Sequence, residues 1–341
     1  MYDRDIQVAV IGGGYWGKNL VRNFHRLGVL RAVCDLSENV RDIVLKSYPG
    51  VTVTDNSADV FADPSIHACV IATPAESHFR LAVAALAAGK DVLVEKPLAL
   101  RVSEAEQLVD IAQRRKKILM VGHLIQYHPA FECLTGLAQA EELGRIDYAY
   151  ANRLSLGKIR REENALWSFA PHDISLILGL FQEMPIQVTA VGGAYLQATV
   201  ADVTLSTMLF ENGSRAHFFV SWLHPYKEQK LVLVGTKKMA VFNDTAGPQD
   251  KLRLFEKGVN LNNGEWTVSR DQGTTVTYPD VEPLLVECRH FLESVQNRSR
   301  PRTDGYEGLR VLRVLQCCQR SLQMNGEPVH VLAQIGELLQ L

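Results

Sequence analysis

A glycine-rich turn early in the chain is the feature that most constrains its fold. Gly12, Gly14 and Gly17 match the pattern Gly-x-Gly-x-x-Gly and directly follow the apolar run Ile6–Ile11, while the helical pattern Tyr15–Leu27 begins inside the same turn. In such a strand–turn–helix unit the first glycine permits the tight turn, the second lets the backbone approach a pyrophosphate, and the third lets helix and strand pack closely. The turn therefore predicts a Rossmann domain that binds a dinucleotide at the start of a helix.

The pattern after this turn extends the prediction to a whole parallel sheet. The strands are predicted at Ile6–Ile11, Leu30–Cys34, Val51–Val53, Ala68–Ala72, Val92–Val94 and Ile118–Val121. The helices between them are predicted at Tyr15–Leu27, Glu38–Ser47, Ser57–Phe61, Ser77–Ala88 and Ser103–Arg114. Apolar strands that alternate with helices are typical of a doubly wound parallel sheet buried on both faces. Ser103 followed by Glu106 has the capping-box pattern, which predicts that the last of these helices begins at Ser103.

After about Gly122 the periodicity changes. Strands with period-two alternation are predicted at Arg145–Leu156, Gln187–Leu196, Asp202–Phe210, Arg215–Leu223, Gln229–Val234 and Lys238–Asn243. Helices are predicted at His128–Leu137, Ser168–Leu180 (introduced by Pro171), Glu282–Asn297 and Asp304–Gln323. The alternation indicates a large, mostly antiparallel sheet. The predicted fold class is α/β, with a Rossmann domain over residues 1–122 and an α/β domain for substrate binding and oligomerisation over residues 123–341.

Composition narrows the class of protein. The formal net charge is −2, so the chain lacks the excess of basic residues that is typical of a nucleic-acid-binding protein. The sequence also contains no apolar run near the ~20 residues that span a membrane. The first residues lack the basic and apolar regions of a signal peptide, so we expect a cytoplasmic protein. None of the six cysteines forms a Cys-x-x-Cys pair, and no His/Cys cluster has metal-ligand spacing. We therefore expect reduced thiols and no metal.

Asp35 indicates which dinucleotide binds. It ends the second predicted strand, about 20 residues after the glycine turn, where a carboxylate accepts hydrogen bonds from the adenosine ribose hydroxyls. The same carboxylate would repel the 2′-phosphate of NADP, so the sequence favours NAD. The alternative is that Asp35 only caps the next helix. Tyr15 and Trp16, inside the glycine turn, are predicted to contact the cofactor as well.

Two further strand ends carry polar residues at the edge of the sheet where ligands bind in this architecture. Thr73-Pro74 with His78 follows the fourth strand, and Glu95-Lys96-Pro97 follows the fifth. A residue before proline favours extended backbone, which holds Lys96 at the end of its strand. There its ammonium can stabilise a substrate alkoxide or carbonyl oxygen. Taken alone, a solvated surface lysine is the competing interpretation.

These motifs together resemble the glucose–fructose oxidoreductase / inositol dehydrogenase (Gfo/Idh/MocA) family. The glycine turn, Asp35, Thr73-Pro74 with His78, and above all Glu95-Lys96-Pro97 carry the resemblance. It covers nearly the whole chain, because the sheet-rich second half is also typical of the family. The resemblance implies an NAD-dependent dehydrogenase that acts on CH–OH groups, with Lys96 beside both the nicotinamide and the reacting hydroxyl.

The resemblance also implies a catalytic histidine in the second domain. His172, in the segment Leu166–Ile174, corresponds to it. Many members have an aspartate four residues earlier where this chain has Ser168, and Asp173 is open as a substitute partner. With Pro171 as a helix start, His172 is expected in the first helical turn, where the macrodipole favours the neutral imidazole that a general base needs. A hydrogen-bonded core histidine is the alternative.

The segment after the sixth strand departs from the family pattern Gly-Tyr-Asn-Arg-Arg-Phe-x-Pro. This chain has Gly122-His123-Leu124-Ile125-Gln126-Tyr127-His128-Pro129, so the arginine contacts do not carry over. Gln126 and Tyr127 fall where the segment would line the cleft, and they are predicted to contact cofactor and substrate respectively.

The substrate prediction depends on a basic loop before His172. Arg153, Arg160, Arg161 and Trp167 are predicted to bind substrate, because arginines can grip a pyrophosphate in bidentate fashion. An exposed mixed-charge loop is the alternative. The segment is similar to family members of surface-polysaccharide and lipid A pathways, which oxidise the 3-hydroxyl of UDP-linked N-acetyl sugars and supply an aminotransferase. This similarity implies UDP-N-acetylglucosamine as substrate.

Three other functions stay open. An enzyme for UDP-N-acetylglucosaminuronate should need one more cationic contact, and one for a free polyol such as inositol should not need the Arg160–Arg161 loop. An NAD-sensing regulator is favoured by Ser168 but opposed by Lys96 and His172. A large exposed sheet face predicts a homodimer or homotetramer packed through the second-domain sheet, as the resemblance also implies.

Overall fold

The computed structural model describes residues 5–157 and 159–331. The chain divides into two compact units, one made of Met1–Tyr127 with Val281–Leu312 and one of His128–Asp280 with Arg313–Leu341. This division differs from a single boundary after residue 122, because a segment late in the sequence returns to the first unit.

The elements alternate as the sequence patterns indicate. The helices are α1 (Gly17–Arg26), α2 (Glu38–Ser47), α3 (Ser57–Ala62), α4 (His78–Ala87), α5 (Val102–Arg114), α6 (Pro129–Gln139), α7 (Ala165–Phe181), α8 (Pro283–Asn297) and α9 (Gly305–Gln323). The strands of the first unit are β1 (Val8–Ile11), β2 (Leu30–Cys34), β3 (Thr52–Thr54), β4 (Ala68–Ile71), β5 (Asp91–Glu95) and β6 (Leu119–Gly122). Those of the second are β7 (Ile146–Leu156), β8 (Gln187–Gly193), β9 (Val203–Leu209), β10 (Arg215–Ser221), β11 (Leu223–Gly235), β12 (Lys238–Asn243), β13 (Leu252–Glu256), β14 (Val259–Asn262), β15 (Glu265–Val268), β16 (Thr274–Thr275) and β17 (Val329–His330).

The first unit is a Rossmann fold. Its strands are parallel in the order β3-β2-β1-β4-β5-β6, and β1, β4 and β6 are buried throughout. This confirms the predicted doubly wound sheet, since only strands covered on both faces are apolar at every position.

Helix α8 completes the core of the first unit. Its apolar face packs against α1, where Phe24 and Phe291 meet edge to face with ring centroids 6.4 Å apart. The sequence predicted this helix but not its place. Apolar spacing shows that a helix buries one face, and it does not show which sheet that face covers.

The second unit is built on a mixed sheet in the order β16-β13-β12-β11-β7-β10-β9-β8-β17, in which only the β7–β10 pair is parallel among the described pairings. This confirms the predicted mostly antiparallel sheet. Helix α7 packs on β7, β9 and β10, and α6 packs on β12 and β13. Strands β13 to β17 were not predicted, and each has five residues or fewer.

Two predicted helix starts were wrong. Helix α5 begins at Val102 after an extended Arg101, whose carbonyl accepts the first helical hydrogen bonds, so the Ser103 capping box does not form. Helix α7 begins at Ala165, because the Asn164 side chain accepts a hydrogen bond from the Trp167 N–H at 3.1 Å. Pro171 therefore lies inside α7 and does not start it.

Among the residues described, no helix is long and apolar enough to cross a membrane.

Candidate active site

The glycine turn has the geometry that its pattern predicts. Gly12 has a φ of +93°, and a Cβ there would lie 2.6 Å from the Ala72 carbonyl oxygen. A Cβ at Gly17 would lie 1.8 Å from the Gly12 carbonyl oxygen, so both positions require glycine. At Gly14 no described atom comes within 4 Å of the Cβ position, which leaves the backbone open to a phosphate group at the start of α1.

Asp35 closes this turn from the neighbouring strand. Its carboxylate accepts the Gly13 N–H at 2.7 Å and the Ser37 N–H at 2.8 Å. The N-cap of α2 is Ser37, so Asp35 is tied to the glycine turn and is not only a helix cap. Each carboxylate oxygen has capacity for one further hydrogen bond, which a ribose hydroxyl can donate. The open backbone at Gly14 beside this carboxylate fits NAD.

Lys96 is held at the end of β5 by the residue before it. The Glu95 carboxylate accepts the Trp16 indole N–H at 2.5 Å and the Lys96 backbone N–H at 3.3 Å. Burial raises the pKa of Glu95, and these hydrogen bonds together with the Lys96 charge act in the opposite direction. The Lys96–Pro97 peptide bond is cis, and Lys96 itself is half-buried. Through Glu95, Lys96 and the glycine turn are parts of one hydrogen-bonded assembly.

His78 connects the two polar strand ends rather than facing outward. Its ring nitrogens lie 2.8 Å from the Pro97 carbonyl and 2.8 Å from the Thr73 carbonyl, and the side chain is buried. Burial lowers the pKa of His78, although both carbonyls act against that shift. Because both ring nitrogens of the buried His78 are hydrogen-bonded, its role is to hold the neighbouring backbone in place. Direct contact with the cofactor is then expected from exposed residues. Tyr15 is 90% exposed, and Pro74 begins the short turn Ala75–Ser77.

Gln126 and Tyr127 lie inside the first unit. The Tyr127 hydroxyl is 2.9 Å from the Thr303 hydroxyl and has no solvent exposure, which raises its pKa. The Arg302 guanidinium donates to the Gln126 carbonyl and lies over the Tyr127 ring. Both side chains are buried among residues of their own unit. Their contacts to the cofactor and the substrate stay predictions.

His172 lies two turns into α7 and not in its first turn. The helix begins at Ala165, so the predicted effect of the macrodipole on His172 was wrong, since that effect is confined to the first turn. The side chain is half-buried on a helix that packs against the sheet of the second unit. Ser168 lies one turn before it and is buried.

A buried ion pair fixes the segment that carries His172. Arg153 of β7 donates Nε and Nη2 to the two carboxylate oxygens of Asp173, each at 2.9 Å, and the side chains are only 7% and 2% exposed. The bidentate geometry fixes both the position and the rotation of the helix relative to the strand. Asp173 is therefore bonded to Arg153, which argues against it as the partner of His172, and two of the five N–H donors of Arg153 are used in this pair.

The basic loop before α7 is held at both ends. Asn164 and the Trp167 indole both donate to the Gln319 side-chain oxygen, at 2.8 and 3.1 Å. The Gln197 amide donates to the Arg160 carbonyl at 2.8 Å, while the Arg160 side chain pairs with Glu163 at 3.0 Å. Arg160 and Arg161 are exposed, so their guanidinium groups are accessible to a ligand.

The sequence missed three residues of this site. Gly13 binds Asp35 through its backbone, and its place inside the glycine motif was the available signal. Asn164 is a preferred N-cap residue before an apolar helix, a signal that Pro171 obscured. Gln319 lies 155 positions from Asn164, and no local pattern indicates such a pairing.

Comparisons with known proteins agree with this geometry. Residues 6–123 match the family model described as "Oxidoreductase family, NAD-binding Rossmann fold", and residues 139–241 match the "GFO/IDH/MocA C-terminal domain". UDP-N-acetylglucosamine 3-dehydrogenase of Acidithiobacillus ferrooxidans is 27% identical over 90% of this chain and 94% of that protein. A solved structure of that dehydrogenase has a TM-score of 0.83 at 24% identity and covers 94% of this chain and 98% of its own.

Another solved structure, levoglucosan dehydrogenase in complex with NADH, has a TM-score of 0.84 at 19% identity and covers 96% of this chain and 99% of its own, which is a likeness of fold. This chain belongs to the GFO/IDH/MocA oxidoreductase family, and its first unit is an NAD-binding Rossmann domain.

Proposed function

We propose that this chain oxidises the 3-hydroxyl of a UDP-linked N-acetyl sugar with NAD, and that UDP-N-acetylglucosamine is the substrate. The observation that carries the proposal is the similarity to a UDP-N-acetylglucosamine 3-dehydrogenase along 90% of this chain, through both units. An inositol 2-dehydrogenase of Mycolicibacterium smegmatis is 32% identical but matches only 41% of the chain.

The basic loop supports a nucleotide-linked substrate. The exposed Arg160 and Arg161 present guanidinium groups on a loop anchored by Gln197 and Asn164, close in sequence to His172. A pyrophosphate is a good ligand for such groups because the planar guanidinium forms paired, charge-assisted hydrogen bonds. Trp167, half-buried at the base of this loop, can pack against a sugar or base. Arg153 uses two of its five N–H donors on Asp173, so we assign it the positioning of α7, and its substrate contact stays a prediction.

We assign the proton transfer to His172 and the stabilisation of negative charge to Lys96. His172 accepts the hydroxyl proton as general base, while the Lys96 ammonium holds the substrate oxygen and stabilises the alkoxide that develops there. Bound NAD supplies the acceptor for the hydride that leaves the same carbon. The product is a 3-keto sugar, whose carbonyl suits a following aminotransferase.

Two parts of the chain prepare this chemistry before substrate binds. Glu95 holds the Lys96 backbone and Trp16 in one hydrogen-bonded assembly. The Arg153–Asp173 pair fixes the rotation of α7, and the direction of the neighbouring His172 follows from that rotation. Positioning groups of this kind lower the barrier because little ordering is left for the reaction itself.

A substrate panel tests the proposal directly. NADH formation is followed by absorbance with UDP-N-acetylglucosamine, UDP-N-acetylglucosaminuronate and inositols, each with a keto-sugar trap that prevents the reverse reaction. Oxidation of UDP-N-acetylglucosamine alone supports the proposal. Preference for the uronate or for an inositol would replace the substrate, and NAD binding without any oxidation would favour the regulator.

We also propose that the second unit forms a homodimer or homotetramer through its sheet. The strand register places Val191, Leu205 and Phe219 side by side on one face, and Val191 and Leu205 are 48% and 41% exposed. Tyr148 and Tyr226, on β7 and β11, are also exposed. Contiguous apolar surface of this kind marks an interface. The molar mass in solution, measured by light scattering, tests this: a monomer would contradict it.

A further inference from the structure

A buried carboxyl group that the mechanism does not use lies in the first unit. Glu287 is on the inner face of α8 and has 0% exposure, and neither of its carboxyl oxygens has a hydrogen-bond partner among residues 5–157 and 159–331. A charged carboxylate in such a place is strongly disfavoured, and a buried group in this position takes up a proton instead.

Glu95 is the charged neighbour that acts on the pKa of Glu287. Burial raises the pKa of Glu287 well above its usual range, and the negative charge of Glu95 raises it further. Glu95 pairs in register with Gly122, where a Cβ would lie 3.0 Å from the Glu95 carboxyl carbon, so the missing side chain leaves room for this carboxyl. Helix α8 packs on the turn Leu124–Tyr127 that follows Gly122 and on α1.

The two carboxyl groups differ in what they can bind. Glu95 accepts hydrogen bonds from the Trp16 indole and the Lys96 backbone, and the Lys96 charge favours its ionised form. Glu287 has no comparable donors within the described chain. Two neighbouring carboxyl groups do not both ionise in a poorly solvated site, and the one with the donors keeps the charge.

We propose that Glu287 is a neutral carboxylic acid in the folded protein, so that Glu95 alone carries the negative charge that holds Trp16 and faces Lys96. Glu287 is thus a positioning residue that acts through Glu95. This proposed role of Glu287 involves only residues of the first unit, so it does not depend on which alcohol the enzyme oxidises.

The remaining groups around the pair do not supply a counter-charge to Glu287. The titratable and charged groups that face the pair are Lys96 and His123 beside Glu95, Tyr127 and Cys288 beside Glu287, and Arg302 beside Tyr127. His123 Nδ1 lies 2.5 Å from the Glu307 carboxylate. Lys96 and His123 act on the pKa of Glu95 and Arg302 acts on that of Tyr127, whereas Glu95 is the charged group that acts on that of Glu287.

The sign of the pH dependence follows from the raised pKa. In the folded state Glu287 keeps its proton above the pH at which an unfolded glutamate, with a pKa of about 4.3, loses it. The folded state then binds more protons than the unfolded state, so stability falls as the pH rises from that value through the folded pKa. Ionised Glu287 would also add a second negative charge to that of Glu95, which bonds to Trp16 of the glycine turn, where we expect the cofactor pyrophosphate to bind.

The test compares Glu287→Gln with wild type, and Glu293→Gln, an exposed position on the same helix, is the matched control. In thermal melts of the cofactor-free protein from pH 5 to pH 9, the advantage of E287Q should widen with pH. One-proton linkage limits this to about tenfold per pH unit in the unfolding equilibrium constant. E293Q should follow wild type.

Two further measurements distinguish an electrostatic effect of Glu287 on Glu95 from a change in packing alone. NADH affinity, measured by fluorescence, should weaken in wild type relative to E287Q at alkaline pH by roughly tenfold, the effect of one added unit charge at an effective dielectric near 20. In a Glu95→Gln background the pH-dependent advantage of E287Q should shrink. Parallel pH profiles for wild type and E287Q, or an unchanged advantage in the Glu95→Gln background, would overturn the proposal.

Infrared spectroscopy keeps the proposal testable if E287Q does not fold. Cofactor-free wild-type protein with ¹³C-labelled glutamate should show the carbonyl stretch of a protonated carboxylic acid at pH 7, where exposed carboxyl groups are ionised. The absence of that band would contradict a neutral Glu287.

Discussion

Each unit carries one half of the proposed set of site residues, and the two halves are held in place by different kinds of interaction. In the first unit, Asp35 and Glu95 accept hydrogen bonds from backbone N–H groups beside strand ends, and Glu95 also accepts one from the Trp16 side chain. In the second unit, side chains bond to other side chains far away in the sequence, as Asp173 does to Arg153 and Asn164 to Gln319. The geometry of the first half depends on the glycines of the motif, because they shape the backbone. The geometry of the second half depends on both side chains of each bonded pair. The two halves should therefore respond differently to substitution.

Removing either proposed catalytic group should have the largest effect on turnover. We expect a lower kcat both for the Lys96 variant in the first unit and for the His172 variant in the second. We expect Lys96→Met to lower kcat by about 10²–10³-fold and His172→Asn by about 10²–10⁴-fold, because charge stabilisation and proton transfer are lost. Steady-state kinetics and NADH titration check this, with Lys46→Ala, an exposed lysine on α2, as control. If either variant kept most of its kcat, that residue would not have the assigned role.

Breaking the Arg153–Asp173 pair should destabilise the second unit more than Asp35→Ala destabilises the first. Arg153→Met or Asp173→Leu alone leaves an unpaired buried charge, for which we expect a loss of about 3–5 kcal/mol in unfolding free energy. The double variant removes both charges and should lose less than the sum. Exchange of the exposed Asp110–Arg114 pair on α5 for alanines is the control, expected to change stability by at most about 1 kcal/mol. Additive losses would show that the pair is not coupled.

Asp35→Ala should weaken NADH binding without comparable loss of stability, since its contacts are to backbone groups at the surface of the unit. Losing hydrogen bonds to a charged acceptor corresponds to about 1.5–3 kcal/mol, or roughly a 10–150-fold weaker dissociation constant. Preference for NAD over NADP should decrease at the same time. Fluorescence titration with both reduced cofactors measures this, and an unchanged NAD/NADP ratio would remove Asp35 from the specificity site.

The smallest effect is expected at the basic loop, and it should depend on the substrate. Arg160→Ala with Arg161→Ala should raise KM for UDP-N-acetylglucosamine by about tenfold or more and leave kcat nearly unchanged, because charge-assisted contacts to a non-reacting group are lost. Arg270→Ala, an exposed arginine elsewhere in the second unit, is the control. An unchanged KM would favour the exposed mixed-charge loop over a pyrophosphate site.

This contrast also explains how much the sequence revealed. The Rossmann sheet, the glycine turn and the position of Lys96 follow from local rules, because strand ends and glycine geometry are set within a few residues. The start of α7 was mispredicted since Pro171 resembles a helix start, while Asn164 and its distant partner Gln319 set the true one. The place of α8, and with it the burial of Glu287, depends on a segment about 160 residues away from the sheet that it covers, and no local pattern shows that.

The proposed activity of this chain is the NAD-dependent oxidation of a UDP-linked N-acetyl sugar. The most direct measurement is NADH formation with UDP-N-acetylglucosamine in the presence of a keto-sugar trap, with product analysis for a carbonyl at carbon 3. We predict NADH and 3-keto sugar in equal amounts, formed at least about 10²-fold more slowly with Lys96→Met or His172→Asn. Tight NADH binding with no oxidation of this substrate, or faster oxidation of an inositol, would contradict the claim.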